Sequence, residues 1–267
     1  MISGMQHNLQ IIPIPAFKDN YIWLIHNDQQ AIIVDPGDAI PVLEKLQQLN
    51  LSLHTILITH HHQDHIGGVA ALQNVYPNVK VYAPKLEQFA FKHLAVSELD
   101  EIHLKEFILK FSVIDLPGHT LGHIAYYCQN VKENLHLGKI LFCGDTLFGA
   151  GCGRIFEGTA AQMQHSLEKL AALPPATKVY CTHEYTIQNI KFALSLEPSN
   201  KALIERFIDT HKIRDINLPS LPSTIALELA TNPFLRCYSD EIQSAIHLKN
   251  AGNLEVFSAI RELRNNY

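Results

Sequence analysis

One short segment, residues 60–65, constrains this chain more strongly than any other part of the sequence. It places four histidines and one aspartate within six positions, directly after the apolar run at residues 55–58. Imidazole nitrogens bind zinc and iron, and carboxylate oxygens bind harder cations, so these side chains suit a first-row metal. On an extended loop His60 and His62 point the same way, because side chains alternate between two faces. The segment therefore predicts part of a metal site on a loop that follows a strand.

A solvated histidine-rich loop or a relic of an expression tag would have a similar composition. A tag lies at a terminus, however, whereas this segment follows a strand-like run and continues into Ile66, Gly67 and Gly68. The segment is also too short to supply a complete site, so a metal site requires further ligands elsewhere in the chain.

Three later segments repeat the arrangement of an apolar run followed by a turn with one metal-competent side chain. The runs and their residues are 111–116 with His119, 139–143 with Asp145, and 178–181 with His183. Functional side chains concentrate on loops just beyond strand ends. A single histidine after a strand is usually structural, but four such segments in this order favour one shared metal site.

These motifs resemble those of the metallo-β-lactamase superfamily. Its His-x-His-x-Asp-His signature is matched by His60, His62, Asp64 and His65. More narrowly, the chain is similar to the hydroxyacylglutathione hydrolases, the glyoxalase II family. The segments that carry this narrower resemblance are 17–21, 34–38, 117–123, 144–148, 151–154 and 183–186. Among them, Gly-Cys-Gly-Arg at 151–154 and His-Glu-Tyr-Thr at 183–186 distinguish the subfamily.

The resemblance implies a dinuclear metal centre with seven ligands. The implied sets are His60, His62 and His119 for one ion, Asp64, His65 and His183 for the other, and Asp145 as the bridge. Two such ions activate a shared water for attack on a carbonyl carbon. A thiolate then leaves without a strong general acid, because a thiol pKa is about 8.5. Asp64 and Asp145 are the predicted catalytic carboxylates, and zinc is the first prediction for both ions, with iron or manganese as alternatives.

The resemblance also implies a binding site for glutathione. Its predicted contacts are Arg154, Phe156, Tyr185, Arg261 and Arg264. Arg261 and Arg264 are three residues apart and share one helix face; without the resemblance they would be interpreted as a solvated surface. Many members have lysine where Arg264 stands, and some have tyrosine where Phe156 stands. Arginine keeps the charge, but phenylalanine cannot donate a hydrogen bond.

For several other residues near these motifs, a structural role competes with a functional one. His61 lies between two predicted ligands and by alternation points away from them. His123 is either a partner of a ligand or a structural hydrogen-bonding residue. Cys152 resembles a nucleophile, but the glycines beside it favour close approach of the backbone to substrate. Asp35 lies in a Pro-Gly turn, where it either forms the turn or orients the metal loop.

Composition excludes several classes of protein. A chain of 267 residues can bury one large core or a core with an appendage. No apolar run approaches the roughly 20 residues needed to span a bilayer, and residues 1–7 carry no signal-peptide pattern. The net charge of −5 comes without the basic stripe of a nucleic-acid binder. Five scattered cysteines predict reduced thiols in the cytoplasm. We expect a monomer whose partner is a small glutathione thioester.

The pattern alternates strands and helices up to about residue 185 and is helical thereafter. The predicted strands are 11–15, 21–26, 31–34, 55–59, 79–83, 107–115, 124–129, 140–143 and 178–181. The predicted helices are 40–48, 67–75, 160–173, 186–195, 201–213, 224–230, 240–248 and 254–265. This α/β (α+β) pattern matches the αβ/βα four-layer sandwich that the resemblance implies. The pattern places a domain boundary near residue 185, and the resemblance implies a metal-binding catalytic domain at 1–184 and a helical domain at 185–267 that binds the glutathione substrate.

The predicted activity is hydrolysis of S-(2-hydroxyacyl)glutathione thioesters such as S-D-lactoylglutathione, the second step of methylglyoxal detoxification, by metal-activated hydroxide. The products would be glutathione and a 2-hydroxy acid such as D-lactate. Another hydrolase of the superfamily, such as a β-lactamase or lactonase, would share the metal loop but not the helical C-terminal region. A persulfide dioxygenase would use one iron and fewer ligands, and a nuclease would need a basic surface. A metal-binding protein without catalytic activity is the remaining alternative.

Overall fold

The computed structural model describes residues 9–129 and 137–267. The segment 1–7, from which we expect no secretion, lies outside the described residues. The strands are β1 (Gln10–Ala16), β2 (Asn20–His26), β3 (Gln30–Val34), β4 (Ser52–Leu57), β5 (Lys80–Pro84), β6 (Leu94–Val96), β7 (Glu101–Leu104), β8 (Leu109–Asp115), β9 (Ile124–Cys128), β10 (Ile140–Gly144), β11 (Leu147–Phe148), β12 (Gly151–Cys152), β13 (Lys178–Cys181) and β14 (Ser223–Thr224).

The helices follow the same chain order. They are α1 (Ala39–Gln48), α2 (Gln63–Ile66), α3 (Val69–Val75), α4 (Ala160–Ala171), α5 (Thr186–Leu196), α6 (Lys201–Asp215), α7 (Ile225–Thr231), α8 (Asp240–Ala245) and α9 (Asn253–Asn265). Within the described ranges, no helix is both long enough and apolar enough to pass through a bilayer.

The first compact unit comprises Met1–Asp115 and Ile124–Gly144, as far as these are described. Its first sheet has six strands in the order β1 to β6. Strands β1 to β3 pair antiparallel, and β3 to β6 pair parallel. Parallel neighbours need a crossover, which α1 supplies between β3 and β4, and α2 with α3 between β4 and β5. This arrangement leaves the carboxyl end of β4 leading directly into the histidine-rich loop.

The strands of this sheet are mostly apolar because their side chains pack against helices in a buried core. Ile33, Ile56 and Val81 from neighbouring strands pack with Leu46 of α1 and Leu72 of α3 in one buried cluster. Fully burying such a side chain contributes roughly 1.5–3 kcal/mol. The helix α1 begins where the Asp38 carboxylate accepts a hydrogen bond from the Ile40 N–H, a normal N-cap.

Strands β7 to β10 form the second antiparallel set of the first unit. Its central residue, Tyr126, is fully buried, and its hydroxyl donates to the Ile58 carbonyl at 2.7 Å. The Ile124 N–H donates to the Thr59 carbonyl at 3.0 Å. These bonds hold β9 against the start of the histidine-rich loop, so the loop is supported by both strand sets of the unit.

The second compact unit comprises Leu116–His123 and Asp145–Tyr267. It contains the hairpin β11–β12, the antiparallel pair β13–β14, and helices α4 to α9. A capping box between Thr159 and Gln162 starts α4. Ala150 of the hairpin packs with Ile190 and Leu203 of α5 and α6. The predicted domains 1–184 and 185–267 do not have the same bounds as these two compact units. The assignment of catalysis to the first domain and substrate binding to the second stays a prediction.

Most predicted elements lie within a few residues of the observed ones, but five short strands were missed: β6, β7, β11, β12 and β14. Four of them have only two or three residues and are too short to show a hydrophobic period, whereas β7 alternates exposed and buried residues and its pattern was overlooked. The predicted strand at 107–115 begins later, at Leu109, because Lys105–Phe107 forms a 3₁₀ turn. The short helix α2 was also missed, since it lies within the predicted metal loop. The mixed sheets and the helical C-terminal region agree with the predicted fold class.

Candidate metal centre

The histidine-rich segment of the first unit begins in the loop after β4 and continues into the short helix α2, which carries Asp64 and His65. His60 is fully buried, and its Nε2 lies 3.0 Å from Nδ1 of His62. His61 turns elsewhere, with its Nδ1 3.2 Å from a Glu87 carboxylate oxygen. His60 and His62 thus meet, as the alternation predicts, while His61 has its own partner in Glu87 and its ring centroid lies 5.1 Å from that of His62.

Asp35 sets the orientation of this loop. Its Oδ1 accepts from the Thr59 N–H at 2.8 Å, and its Oδ2 accepts from the Thr59 hydroxyl at 2.8 Å. The same Oδ2 lies 3.0 Å from Nδ1 of His65. Because an ionised carboxylate only accepts hydrogen bonds, His65 Nδ1 carries the proton and Nε2 keeps a lone pair. Of the two interpretations of Asp35, the structure supports orientation of the loop.

The same chain of hydrogen bonds reaches His60. Nδ1 of His60 lies 3.1 Å from the Thr59 hydroxyl oxygen, whose proton is already donated to Asp35. His60 Nδ1 therefore donates, and its Nε2 also keeps a lone pair. Metal-binding histidines are commonly held in this way, through the ring nitrogen that does not bind the metal. Thr59 was not singled out from the sequence, because a threonine after a strand carries no metal-binding signal.

Asp64 lies beside His65. Its Oδ2 is 3.6 Å from Nε2 of His65 and accepts from the Asn20 side-chain amide at 3.1 Å. Gly37 packs against this segment so closely that a Cβ there would overlap the Asp64 carbonyl. Asn20 belongs to the segment 17–21 that carries the family resemblance, and this contact gives a physical reason for an amide there.

A second group of predicted ligands lies within the second unit. Oδ2 of Asp145 is 3.4 Å from Nε2 of His119 and 3.3 Å from Nε2 of His183. All three side chains are buried. Nδ1 of His119 donates to the Arg154 carbonyl at 2.8 Å, so Nε2 is the nitrogen with the lone pair. One carboxylate oxygen therefore faces the imidazole nitrogens of two predicted ligands.

His123 holds Asp145 through the main chain. Its Nε2 accepts from the Asp145 N–H at 3.1 Å, and its Nδ1 lies 3.3 Å from the Thr146 hydroxyl. The ring is fully buried. His123 therefore makes a structural hydrogen bond, and the residue that it binds, Asp145, is itself a predicted ligand.

Histidine and aspartate side chains of the described residues form groups that could hold a metal ion. The groups are His60, His62 and His119; His60, His65 and Asp145; and Asp64, His65 and His183. Together they include every ligand predicted from the sequence. Imidazole with a minority of carboxylate suits zinc, iron and manganese, so the chain has the donors for a divalent metal site.

Cys152 lies in β12 and is buried. Burial raises the pKa of its thiol, and the nearby Arg261 guanidinium opposes this effect only in part. A thiol with a raised pKa is protonated at neutral pH and is a poor nucleophile. At Gly153 a Cβ would overlap the Asp145 carbonyl oxygen. The glycine is therefore required by the close approach of two backbone segments of the site.

The predicted substrate contacts divide by exposure. Arg154 is exposed, and so is Phe156, whose ring lies 5.2 Å from that of His119. Tyr185 is half-buried and stacks on His183 with 4.7 Å between ring centroids. These side chains therefore lie beside two of the predicted metal ligands.

The two C-terminal arginines differ from each other. Arg261 is buried, and its Nη1 donates to the Cys152 carbonyl at 2.9 Å. Arg264 is half-buried and donates to the Asn189 side-chain oxygen at 3.2 Å. Burial lowers the pKa of Arg264, and the charges of Arg261 and Arg154 lower it further. The positive charges of Arg261 and Arg154 therefore act on the guanidinium of Arg264.

Comparison with known proteins covers nearly the whole chain. Residues 17–183 match the family model of the metallo-beta-lactamase superfamily, and residues 184–267 match that of the hydroxyacylglutathione hydrolase C-terminus. The hydroxyacylglutathione hydrolase of Methylobacillus flagellatus is 53% identical over 97% of this chain and 99% of its own length. The enzyme of that name from Albidiferax ferrireducens is 48% identical over 97% of this chain and all of its own length.

A solved structure agrees with these matches at the level of the fold. The crystal structure of ETHE1 from Myxococcus xanthus has a TM-score of 0.62 and 24% identity, and the match covers 96% of this chain and 97% of that chain. At this identity the comparison shows the fold alone. The chain belongs to the metallo-β-lactamase superfamily and, within it, to the hydroxyacylglutathione hydrolase family.

Proposed function

We propose that this protein hydrolyses S-(2-hydroxyacyl)glutathione thioesters, such as S-D-lactoylglutathione, to glutathione and a 2-hydroxy acid such as D-lactate. The observation that carries the proposal is the extent of the similarity. Relatives named for this reaction match 97% of the chain at 53% and 48% identity, and the C-terminal model specific to them matches residues 184–267. The reaction is the second step of methylglyoxal detoxification.

The proposed centre holds two divalent ions, with zinc as the first expectation and iron or manganese as alternatives. His60, His62 and His119 would hold one ion, Asp64, His65 and His183 the other, and Asp145 would be shared. When bound, such ions lower the pKa of a shared water and polarise the thioester carbonyl.

The hydrogen bonds of the chain's own residues fit this role. The Nδ1 atoms of His60, His65 and His119 are held by Thr59, Asp35 and the Arg154 carbonyl. Each of these rings therefore keeps its Nε2 lone pair for a cation. Oδ2 of Asp145 faces Nε2 of His183 at 3.3 Å and Nε2 of His119 at 3.4 Å. Asp64 is the carboxylate that we propose to steer the attacking water.

The substrate is proposed to lie against the second unit. Glutathione carries two carboxylates, and Arg154, Arg261 and Arg264 supply positive charge for them. Arg154 and Arg264 are at least partly exposed, so we propose direct contact for these two. Tyr185 and Phe156 would flank the reacting end, next to His183 and His119. Arg261, whose guanidinium donates to the main chain, would act through its charge and through the loop that it holds.

We also propose that residues 1–184 carry the chemistry and residues 185–267 the recognition of glutathione. All five cysteines are free and buried, which supports a reducing compartment, the cytoplasm. We propose a monomer that acts on a small molecule and binds neither nucleic acid nor membrane.

The experiment that tests the function is turnover of S-D-lactoylglutathione by the purified chain, with bound metal measured in the same sample. We expect hydrolysis that falls when a chelator removes the metal and returns when zinc, iron or manganese is restored. Absence of turnover in a sample with two metals per chain would contradict the proposal. Full turnover in a sample stripped of metal would contradict the metal-dependent mechanism.

A further inference from the structure

The tight turn of the β11–β12 hairpin is held by buried side chains from the C-terminal helices. Leu147 pairs with Cys152 and Phe148 with Gly151, so Gly149 and Ala150 form the turn. The bonded groups are the Phe148 and Gly151 carbonyls with Asn232 at 3.3 and 2.9 Å, the Gly149 carbonyl with Asn189 at 3.0 Å, and the Ala150 N–H with Glu228 at 2.9 Å. Side chains of the helical C-terminal region therefore bind the main-chain polar groups of this two-residue turn and of the residues beside it.

Glu228 is the centre of this arrangement. It is fully buried, and its Oε1 accepts from Arg206 at 2.6 Å and from the Ser223 hydroxyl. Its Oε2 accepts from the Ala150 N–H and from the Asn232 amide at 3.0 Å. A buried carboxylate needs an opposite charge and several donors to be tolerated. Here one of those donors is the turn itself, so the ion pair is directly bonded to the hairpin.

Ala150 needs such support because of its backbone conformation. Its φ is +53°, in the left-handed region that L-residues other than glycine and asparagine disfavour. A β-turn with a positive φ at this position usually has glycine or asparagine there. The hydrogen bond from the Ala150 N–H to Glu228 therefore stabilises a backbone conformation that alanine disfavours.

The hairpin leads directly into the residues that support two predicted ligands. Gly153 lies so close to the Asp145 carbonyl that no Cβ fits between them, and its N–H donates to the Thr146 carbonyl at 3.2 Å. The next carbonyl, that of Arg154, accepts from Nδ1 of His119. A shift of the turn would therefore displace both the backbone beside Asp145 and the acceptor that orients His119.

We propose that Glu228, together with Arg206 and Asn232, is a positioning residue for His119 and Asp145. The helical C-terminal region then has a second task besides the recognition of glutathione: it sets the geometry of metal ligands through the hairpin. The inference deepens the proposed function and rests on it for the role of the metal. Its contacts all lie within the second compact unit.

The chain offers a matched control in Glu197. It is buried like Glu228 and is paired with Arg236 at 2.8 Å through both of its oxygens. Its other side-chain donors are Ser239 and Asn200, and none of these residues belongs to the segment 148–154. Loss of either ion pair should destabilise the helical region, but only loss of Glu228 should reach the predicted ligands.

The test compares the full-length Glu228→Gln and Glu197→Gln proteins. Melting temperature, zinc affinity by competition with a chromophoric chelator, and kcat and KM for S-D-lactoylglutathione are measured for both. We expect both variants to melt at lower temperature. Only Glu228→Gln should bind zinc more weakly, by about tenfold or more, as is usual for partners of metal ligands, and its kcat should fall while KM changes by less than about twofold.

A second variant covers the case in which Glu228→Gln does not fold. Asn232→Ala removes the donors to the Phe148 and Gly151 carbonyls and leaves the Arg206–Glu228 pair in place, and it should also weaken zinc binding. Zinc affinity equal to that of Glu197→Gln in whichever of these variants folds would overturn the inference. Failure of the wild-type protein to hydrolyse the thioester would contradict the proposed function alone, because the zinc comparison does not depend on turnover.

Discussion

The two groups of predicted ligands are built in different ways. Residues 60–65 lie on one short segment, the loop after β4 and the start of α2, and the Asp35 side chain binds this segment through Thr59 and His65. His119, Asp145 and His183 instead come from three separate turns, and contacts to the main chain orient two of them. The first group therefore depends mainly on side-chain contacts to one short segment, whereas the second depends on how several backbone segments pack.

This difference has a practical consequence for substitutions. In the loop of residues 60–65 an isosteric change at one buried position should disturb the orientation of the donors without moving the backbone. In the second group a change that displaces the backbone by the width of one methyl group should be at least as damaging. The predictions below test this contrast, from the largest expected effect to the smallest.

Replacement of the shared carboxylate should have the largest effect. Asp145→Asn removes the charge that faces Nε2 of both His119 and His183. We expect metal content and turnover to fall together, with kcat/KM lower by at least about a hundredfold, because outer partners alone cost about 10–100-fold. Metal analysis and turnover of the same sample provide the measurement. Near-normal activity with two metals per chain would rule out Asp145 as the bridge.

Gly153→Ala tests the dependence of the second group on backbone packing. A Cβ at Gly153 would overlap the Asp145 carbonyl oxygen, whereas a Cβ at Gly252 would meet no atom within 4 Å. We expect Gly153→Ala to lower kcat/KM by roughly a hundredfold, the upper range for partners of ligands. Gly252→Ala should behave as the wild type. Equal activity of the two variants would show that the close approach has no bearing on the site.

Asp35→Asn tests the dependence of the residue 60–65 loop on one side chain. The amide keeps the shape of the carboxylate but replaces one accepting oxygen by an NH2 group, so it cannot accept from the Thr59 N–H, the Thr59 hydroxyl and His65 together as the carboxylate does. We expect metal affinity to fall by about 10–100-fold, measured by competition with a chelator. Asp38→Asn in the same turn is the control, because Asp38 caps α1 and asparagine is also a good cap. If both variants bind metal equally well, the orienting role of Asp35 is wrong.

Arg264→Ala should have the smallest effect and should separate recognition from chemistry. We expect KM for glutathione thioesters to rise by about tenfold, which corresponds to about 1.4 kcal/mol, with kcat and bound metal unchanged. Contacts that are equal in the ground and transition states change KM and leave kcat unaffected. Lys249→Ala, which removes an exposed cation from the same region, is the control for net charge. A KM equal to that of this control would favour a solvated surface for Arg264.

The chemistry of the ligands could be predicted from the sequence because it depends on residue types at fixed spacing. The pattern at His60, His62, Asp64 and His65 appears within six consecutive residues. The other three predicted ligands each follow an apolar run that largely coincides with an observed strand: His119 follows β8, Asp145 follows β10 and His183 follows β13. The longer strands could be predicted for the same reason, since their buried residues recur over at least four positions. Strands of two or three residues, such as β11 and β12, carry no such period.

Contacts between residues far apart in the chain were decided only by the tertiary structure. Which nitrogen of His65 carries a proton depends on Asp35, 30 residues away. The burial of Arg261 against the Cys152 carbonyl joins residues 109 positions apart, and the helical pattern around Arg261 and Arg264 makes the two look equivalent. The role of Glu228 depends on a hairpin 78 residues earlier in the chain. Local patterns determine which side chains are available, whereas long-range packing decides the direction in which each hydrogen bond points.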